Sequence, residues 1–382
     1  MRILIAPDKF KGSLSASEVA ENIAVGLRKV LPGAKIDIVP MADGGEGTAE
    51  VICSALGGSW MKCKAHDPLG REIEARYAYV ENKKLAVMEM SEAAGMRRLQ
   101  PGEQDVDLAN TFGVGEMLLD ATRRSAHEII IGLGGSATND GGFGVARALG
   151  FRFFAGEEEL SGPVSELVNV TRIESPKEDV EALVPSAYSK DRRLTQPPLQ
   201  RVLPKIIAAA DVRNPLLGEN GATRIFGPQK GATPDKIDKL ERALTRLADV
   251  VAKDLGFDYR DEPGAGAAGG LGFGLMSFCG AKIRPGFDVV AETVDLESKM
   301  KDVDLVITGE GSLDRQTLEG KTPAGVAGLA RRLGKRIYAM VGRATDDRQV
   351  QEIFDGVYEL GGSIPQAREL LRKRARELAK DL

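Results

Sequence analysis

Short apolar runs that break directly into glycine-rich loops recur along this chain. Residues 2–6, 35–39 and 128–131 have the composition of buried strands, and each is followed by glycine together with acidic or hydroxyl side chains. Residues 2–6 and 35–39 are each followed by a segment with a helical pattern. Such alternation is typical of an α/β fold with a parallel sheet, in which the loops after the strands collect at one edge and bind ligands there.

Composition narrows the class of protein further. The chain has 382 residues, a length that predicts two domains. Glycine accounts for 45 of these residues, or about 12 %, whereas the average glycine content of proteins is about 7 %. A net charge of −4 argues against nucleic acid or a membrane surface as partner. The three cysteines show no metal-ligand or disulfide spacing, and we expect reduced thiols in a cytoplasmic protein.

The order of the predicted elements indicates two α/β domains, one of them split in sequence. A β-α-β-α series opens the chain, a β-meander begins near residue 60, and a second series resumes with a helix over 288–300 and ends with a charged helix over 364–382. Residues 156–200 are rich in polar and charged side chains, and we expect them to form an excursion of the chain over the protein surface. We expect a doubly wound parallel-sheet lobe and an inserted mixed α/β domain, and the predicted bounds are residues 1–65 with 288–382 for the first and residues 66–287 for the second.

The loop of residues 132–142 (GLGGSATNDGG) carries the clearest signal for a ligand. Its five glycines allow positive φ and bring backbone N–H groups close to a bound anion. Bare N–H groups and hydroxyls suit a phosphate, and a carboxylate suits the Mg²⁺ that accompanies it. An ordinary glycine-rich turn is the competing interpretation. The candidate phosphate ligands here and in a second glycine-rich stretch are Gly134, Gly135, Ser136, Thr138, Asn139, Gly266, Gly269 and Gly270, and the candidate metal ligands are Asp140 and Asp211.

Carboxylates and lysines at other strand ends are the candidates for acid–base and charge-handling roles. Asp211 follows a predicted buried strand, where a carboxylate is costly unless it is paired, bound to metal or used. Lysines close to predicted helix N-termini suit anions, although a solvated lysine beside a helix cap explains the same pattern. The predicted catalytic set is Asp8, Lys11, Asp43, Asp211, Glu310, Asp314 and Lys321.

Motif searches leave two further classes of protein open. The chain has no Walker A loop and no protein-kinase motif set. Residues 132–137 match the dinucleotide pattern GxGxxG except for Ala137 at the last position, so an NAD(P)-dependent dehydrogenase of a small hydroxy acid is the alternative. That alternative lacks an obvious histidine or tyrosine–lysine pair. A non-catalytic binding protein would not need so many carboxylates.

Taken together, five motifs strongly resemble the bacterial glycerate kinase family, type I. They are residues 6–13 (APDKFKGS), 40–47 (PMADGGEG), 132–142, 226–232 (FGPQKGA) and 308–314 (TGEGSLD). The sequence departs from the usual family pattern at Lys9, where serine is common. The resemblance implies ATP-dependent phosphorylation of D-glycerate, commonly at the 2-hydroxyl. It also implies a second α/β domain inserted into the first, with the active site in the cleft between them.

We therefore expect a magnesium-dependent glycerate kinase. The loops 132–142 and 264–270 are expected to hold the ATP phosphates, and Asp8, Lys11, Asp43, Asp211 and the segment 308–321 to face the substrate. Which carboxylate is the general base stays open, as does a homodimer. The expected partners are D-glycerate and ATP with Mg²⁺, and neither nucleic acid nor a membrane.

Overall fold

The structure, a computed structural model, describes residues 1–176, 203–345, 347–361 and 366–382. The chain divides into two compact units, Met1–Gly57 with Pro285–Leu382 and Gly58–Arg284. The domain bounds expected from sequence stay a prediction. Strand Ser59–His66, which the predicted bounds assign mostly to the first domain, lies wholly in the second unit.

The described elements alternate between strand and helix over most of the chain. The strands are β1 (Arg2–Ile5), β2 (Lys35–Ile38), β3 (Ser59–His66), β4 (Glu72–Val80), β5 (Leu85–Glu89), β6 (Glu128–Gly132), β7 (Arg152–Ala155), β8 (Glu158–Leu160), β9 (Arg172–Glu174), β10 (Lys205–Ala210), β11 (Lys282–Pro285), β12 (Leu305–Leu313), β13 (Arg336–Ala344) and β14 (Gly356–Glu359). The helices are α1 (Ala16–Arg28), α2 (Thr48–Leu56), α3 (Ser91–Ala94), α4 (Phe112–Arg123), α5 (Phe143–Ala148), α6 (Ala222–Phe226), α7 (Pro234–Leu255), α8 (Ala267–Cys279), α9 (Gly286–Thr293), α10 (Leu296–Lys301), α11 (Thr322–Arg332), α12 (Arg348–Gln351) and α13 (Ala367–Asp381).

The first unit is built on a five-stranded parallel sheet of order β14-β13-β12-β1-β2. Counted within this unit alone, the strand order is 2-1-3-4-5, as in flavodoxin-like folds. The switch point lies between β1 and β12, because the chain leaves these neighbours toward opposite edges of the sheet. Ligands of open α/β sheets bind beyond the carboxyl ends of the strands at this point. The loop after β1 and the C-terminal part of β12 are therefore the place where this fold is expected to bind a ligand.

Helices α1 and α13 cover one face of this sheet. Apolar side chains of β1 and β12 form a buried cluster with Val19 and Ile23 of α1 and with Leu371 of α13. Helix α1 begins with a complete capping box, in which Ser15 accepts from the backbone N–H of Glu18 and the Glu18 carboxylate accepts from that of Ser15. The capping box fixes where the loop after β1 ends.

Gly26 gives α1 and α13 room to approach closely. A Cβ at this position would lie 2.5 Å from the Arg372 carbonyl oxygen and 2.6 Å from the Ala375 Cβ. We expect Gly26→Ala to lower the free energy of unfolding by about 1–3 kcal/mol, because overpacking outweighs the gain in helix propensity. Gly328→Ala is the control, since no atom lies within 4 Å of its Cβ position, and it should be stabilising by about 0.5–1 kcal/mol. Denaturant unfolding of both variants checks the pair, and equal stabilities would contradict the packing argument.

The second unit contains a six-stranded mixed sheet of order β11-β10-β6-β5-β4-β3. Strands β5, β6 and β10 are parallel, whereas β3, β4 and β5 form the antiparallel meander that the period-two pattern predicts. A separate small antiparallel sheet has the order β8-β7-β9. The α/β fold class, with one parallel and one mixed sheet, is thus confirmed.

One predicted helix is wrong in extent. The helix expected over 288–300 is two helices, α9 and α10, and Asp295 between them has a φ of 55°. A left-handed residue cannot continue a right-handed helix, so the chain turns there. The expected C-terminal helix is α13, and residues 364 and 365 at its predicted start lie outside the described residues. So do residues 177–200 of the predicted surface excursion.

Two further expectations concern the cysteines and membrane spans. Cys53, Cys63 and Cys279 are free thiols, and all three are buried. Within the described ranges, no helix is long and apolar enough to cross a membrane.

Candidate active site

The switch point of the parallel sheet carries a buried carboxylate, Asp8. Its backbone N–H donates to the Gly309 carbonyl oxygen at 2.8 Å, which ties the loop after β1 to β12. Its Oδ1 accepts from the Lys9 backbone N–H at 2.6 Å, and its Oδ2 accepts from the Thr322 hydroxyl at 2.7 Å. Only 6 % of the residue is exposed.

The pKa of Asp8 is raised to about 6, first by burial and then by the negative charge of Asp43, against the opposing effects of Lys9 and the Thr322 hydrogen bond. A carboxylate with such a pKa is ionised at pH 7.5 and is a stronger base than an ordinary aspartate. These properties suit a group that accepts a proton from a substrate hydroxyl.

A second buried carboxylate, Glu310, lies inside β12. Its Oε1 accepts from the Thr317 hydroxyl at 2.7 Å. Burial raises the pKa of Glu310 to about 7, the Thr317 hydrogen bond and the charge of Lys321 oppose the rise, and Asp8 and Asp314 add to it. Asp8, Asp314 and Lys321 are thus close enough to Glu310 to affect its pKa, and their joint role in one site stays a prediction.

Of the two lysines in the predicted set, only Lys321 lies at a helix start, whereas Lys11 precedes Ser15, the N-cap of α1, by four residues. Lys321 is the N-cap residue of α11, with Pro323 in the first turn, so an anion there meets both its ammonium group and the positive end of the helix. Lys11 is exposed and lines a pocket of about 310 Å³, together with Asp8, Ser13, Ser17 and Glu46. This pocket lies entirely within the first unit and is large enough for a three-carbon hydroxy acid.

Lys9 was not among the predicted site residues, although its side chain contacts the loop of residues 43–47 and its backbone N–H donates to Asp8. Its Nζ donates to the Glu46 carbonyl oxygen at 2.5 Å and lies 3.9 Å from Asp43 Oδ1. The only sequence signal was its position in the loop that follows Asp8, and no periodicity or spacing predicts a side chain that reaches across to a second loop.

In the second unit, the loop after β6 is fixed by a buried lysine. Lys230 is 3 % exposed, and its Nζ donates to the Thr138 carbonyl oxygen at 2.7 Å and to the Ser136 hydroxyl at 3.2 Å. Burial lowers the pKa of Lys230 to about 7, and the charge of Asp140 partly opposes this. The tight turn around Lys230 belongs to one of the five motifs that resemble the family, but the sequence predicted no role for this lysine.

The two glycine-rich stretches pack against one another, as expected for one site. A Cβ at Gly269 would lie 1.9 Å from the Thr138 carbonyl oxygen, and a Cβ at Gly270 would lie 2.8 Å from the Gly141 Cα. Ala268, Gly269 and Gly270 all have positive φ, so the regular part of α8 begins only after them. Asn139 lies beside these residues with its Oδ1 buried and without a hydrogen-bond partner in the described part of the chain. An unpaired buried oxygen next to bare backbone leaves polar capacity for a ligand.

The remaining predicted ligands of this loop are placed differently. Gly135 is exposed with a φ of 72°, and its carbonyl oxygen accepts from the Met96 backbone N–H. Gly134 beside it is half-buried. Gly266 donates its N–H to the Asn214 carbonyl oxygen at 2.9 Å, so its backbone donor is already used.

Asp140 acts as a helix cap. Its Oδ2 accepts from the Thr111 N–H, the Thr111 hydroxyl and the Gly144 N–H, and its Oδ1 accepts from the Gly142 N–H, all at 2.8–3.1 Å. These donors open α4 and α5, and the completely buried carboxylate holds both helix starts. In this arrangement both of its oxygens are occupied, which does not fit a metal ligand, and that role stays an untested prediction.

We expect Asp140→Ala to lower the free energy of unfolding by about 3–5 kcal/mol, because four donors lose their acceptor in a buried site. The loss should be the same with and without Mg²⁺ in thermal unfolding. A variant that loses Mg²⁺-dependent stabilisation but keeps its stability without the ion would show that Asp140 is a ligand instead. Exposed Asp235→Ala, on α7, is the control.

Asp211 is exposed, so the expectation of a buried carboxylate at this position is wrong. The buried part of β10 ends at Ala210, and Asp211 is the first residue of the loop that turns to solvent. Its catalytic or metal-binding role stays a prediction. Within the described ranges, no group of three or more His, Cys, Asp or Glu residues could hold a metal ion.

The fold and the residues described above are those of an α/β enzyme. The first unit has the buried carboxylates Asp8 and Glu310 at the switch point of its sheet, and the second unit has a glycine-rich loop held by Lys230. The family model of the glycerate kinase family matches residues 3–382. A glycerate kinase of Halalkalibacterium halodurans is 39 % identical over 99 % of this chain and 97 % of its own. Glycerate 2-kinase of Escherichia coli is 40 % identical over 97 % of this chain and 93 % of its own.

Structural similarity agrees with these relatives. A crystal structure of a Salmonella typhimurium LT2 protein, provisionally called glycerate kinase 2, matches with a TM-score of 0.85 and 38 % identity over 100 % of this chain and 98 % of that one. The chain belongs to the glycerate kinase family, and it is a kinase.

Proposed function

We propose that this enzyme transfers the γ-phosphoryl group of ATP to the 2-hydroxyl of D-glycerate, with Mg²⁺ bound to the nucleotide. The observation that carries the proposal is the buried Asp8–Glu310 carboxylate pair at the switch point, beside a pocket of suitable size. The relatives named for glycerate kinase activity support the same substrate. Membership of this family does not favour the dehydrogenase alternative.

Asp8 is the better candidate for the general base. It lines the pocket, whereas Glu310 does not. Its raised pKa of about 6 leaves it ionised at pH 7.5, so it can accept the hydroxyl proton as the oxygen attacks phosphorus. Glu310, with a pKa of about 7, is partly protonated near neutral pH and is therefore the weaker candidate for a proton acceptor.

The other unit is proposed to bind the triphosphate. Backbone N–H groups of residues 134–136 and 139 and the Lys230 ammonium group would meet phosphate oxygens, whereas the N–H groups of Ala137 and Thr138 already donate to the Ala94 carbonyl oxygen and the Ser136 hydroxyl. When bound, Mg²⁺ neutralises charge on the transferring phosphoryl group. The expected cleft between the domains stays a prediction.

The identity of the product shows which of the two hydroxyls of D-glycerate accepts the phosphoryl group. Incubation with ATP, Mg²⁺ and D-glycerate, followed by ³¹P NMR against authentic standards, should show 2-phosphoglycerate. Formation of 3-phosphoglycerate would contradict the proposed acceptor, and equal turnover in excess EDTA would contradict the role of Mg²⁺.

Lys11 and Lys321 are proposed to bind the substrate carboxylate or a phosphate. In a protein of net charge −4, an anionic substrate needs local cations. We expect Lys11→Met and Lys321→Met each to raise the KM for D-glycerate or ATP by about 10- to 100-fold, the worth of a charge-assisted hydrogen bond. Lys299→Met, on the exposed side of α10, is the control and should leave steady-state kinetics unchanged. If both variants matched this control, the anion would have to bind elsewhere.

A further inference from the structure

Lys9 joins two loops of the first unit through two of its atoms, the side-chain Nζ and the backbone nitrogen. Its Nζ donates to the Glu46 carbonyl oxygen at 2.5 Å and lies 3.9 Å from Asp43 Oδ1, and its backbone N–H donates to Asp8 Oδ1 at 2.6 Å. The side chain is 23 % exposed, so water screens these contacts only in part.

The loop of residues 43–47 needs such an anchor. Gly44 and Gly47 have positive φ, of 89° and 96°, and glycine backbone pays a large entropic cost when it is ordered. Asp43 Oδ1 accepts from the Gly45 N–H at 3.1 Å, so the loop orders its own carboxylate. On the other side, a Cβ at Gly286 would lie 1.8 Å from the Asp43 carbonyl oxygen. The loop is thus held between Lys9 and the start of α9.

We propose that Lys9 is a positioning residue, which ties the loop after β1 to the loop of residues 43–47 and offsets the paired negative charges of Asp8 and Asp43. The geometry is independent of the substrate, and only the kinetic part of its test rests on the proposed function.

The charges around Asp8 fix the sign of the expected effect. Asp43 and Glu310 are the carboxylates that interact with it, Lys9 is the cation beside it, and Lys321 and Asp314 act on Glu310. The Lys9 charge favours the ionised form of Asp8 and lowers its pKa. Removing that charge therefore raises the pKa of Asp8, and the protonated, inactive form persists to higher pH.

The test compares Lys9→Met, which keeps the length of the side chain but not its charge, with Lys9→Arg, which keeps the charge. The first readout is a ¹³C NMR titration of the Asp8 carboxyl carbon, assigned with Asp8→Asn. The second readout is the pH profile of kcat/KM for D-glycerate. We expect Lys9→Met to move the Asp8 titration and the acid limb to higher pH by about half a pH unit or more, and Lys9→Arg to restore most of the shift. Lys299→Met is the control and should move neither.

The outcomes separate this proposal from the proposed function. If Lys9→Met leaves the Asp8 titration unchanged, or if Lys9→Arg shifts it as far as Met does, the positioning role is overturned. If the wild-type enzyme does not phosphorylate D-glycerate, the proposed function fails, and the NMR titration still decides the role of Lys9. Thermal unfolding of each variant confirms that the compared proteins are folded.

Discussion

Replacing Asp8 by Asn is expected to lower kcat for D-glycerate phosphorylation by about 10²–10⁴-fold, the usual cost of losing a general base. The fold should keep its stability. Because the folded-state pKa of Asp8 is raised to about 6, this group stabilises the fold fully only below its unfolded pKa. That contribution is lost as the pH rises through about 6. At pH 8 the Asn variant avoids the cost of a buried charge, which compensates for weaker hydrogen bonds.

Steady-state kinetics and thermal unfolding at pH 8 check this prediction together. Asp302→Asn, at an exposed position after α10, is the matched control and should change neither quantity. An Asp8→Asn variant that unfolds at a much lower temperature but keeps near wild-type kcat would show that Asp8 is structural and that the base lies elsewhere.

Replacing Lys230 by Met is expected to weaken ATP binding by about 10- to 100-fold and to lower kcat as well. Lys230 is buried, and its ammonium group donates hydrogen bonds to the Thr138 carbonyl oxygen and to the Ser136 hydroxyl. Its pKa of about 7 means that an approaching phosphate favours its charged form. A charge-assisted hydrogen bond to phosphate is worth about 1.5–3 kcal/mol, which gives the stated range.

Calorimetric titration with ATP and the KM for ATP measure this effect. Lys239→Met, on the exposed side of α7, is the matched control. An unchanged affinity for ATP with a lowered melting temperature would mean that Lys230 only supports the loop, whereas unchanged values in both would remove it from the site.

The sequence predicted most of the fold because local patterns determined it. The apolar runs of β1, β6 and β10 and the capping box at Ser15 are local signals, and the structure places them as expected. Strand β12 was expected to end at Thr308, but it continues to Leu313. The break at Asp295 escaped prediction because the apolar period continues through it, and only the backbone φ reveals the turn. The strand order that creates the switch point depends on contacts between distant residues, which no local pattern encodes.

The site shows the same division. Asp8 and the glycine loops were found from their positions after strands, and Glu310 was found from a predicted strand end although it lies inside β12. The position of a residue in the sequence does not show whether its side chain is buried. Asp211 was therefore expected to be buried, and the buried helix cap Asp140 was grouped with the metal ligands. Lys9 and Lys230 were missed because each side chain reaches a loop distant in sequence, Glu46 in one case and Thr138 in the other.

The most direct test of the central claim is an ATP-consumption assay across small hydroxy acids, with NAD(P) reduction followed in parallel on the same enzyme. The account predicts Mg²⁺-dependent release of one ADP for each D-glycerate consumed, with little turnover of other hydroxy acids and no NAD(P)H. Reduction of NAD(P) by a hydroxy acid, with no ADP formed from D-glycerate, would contradict it.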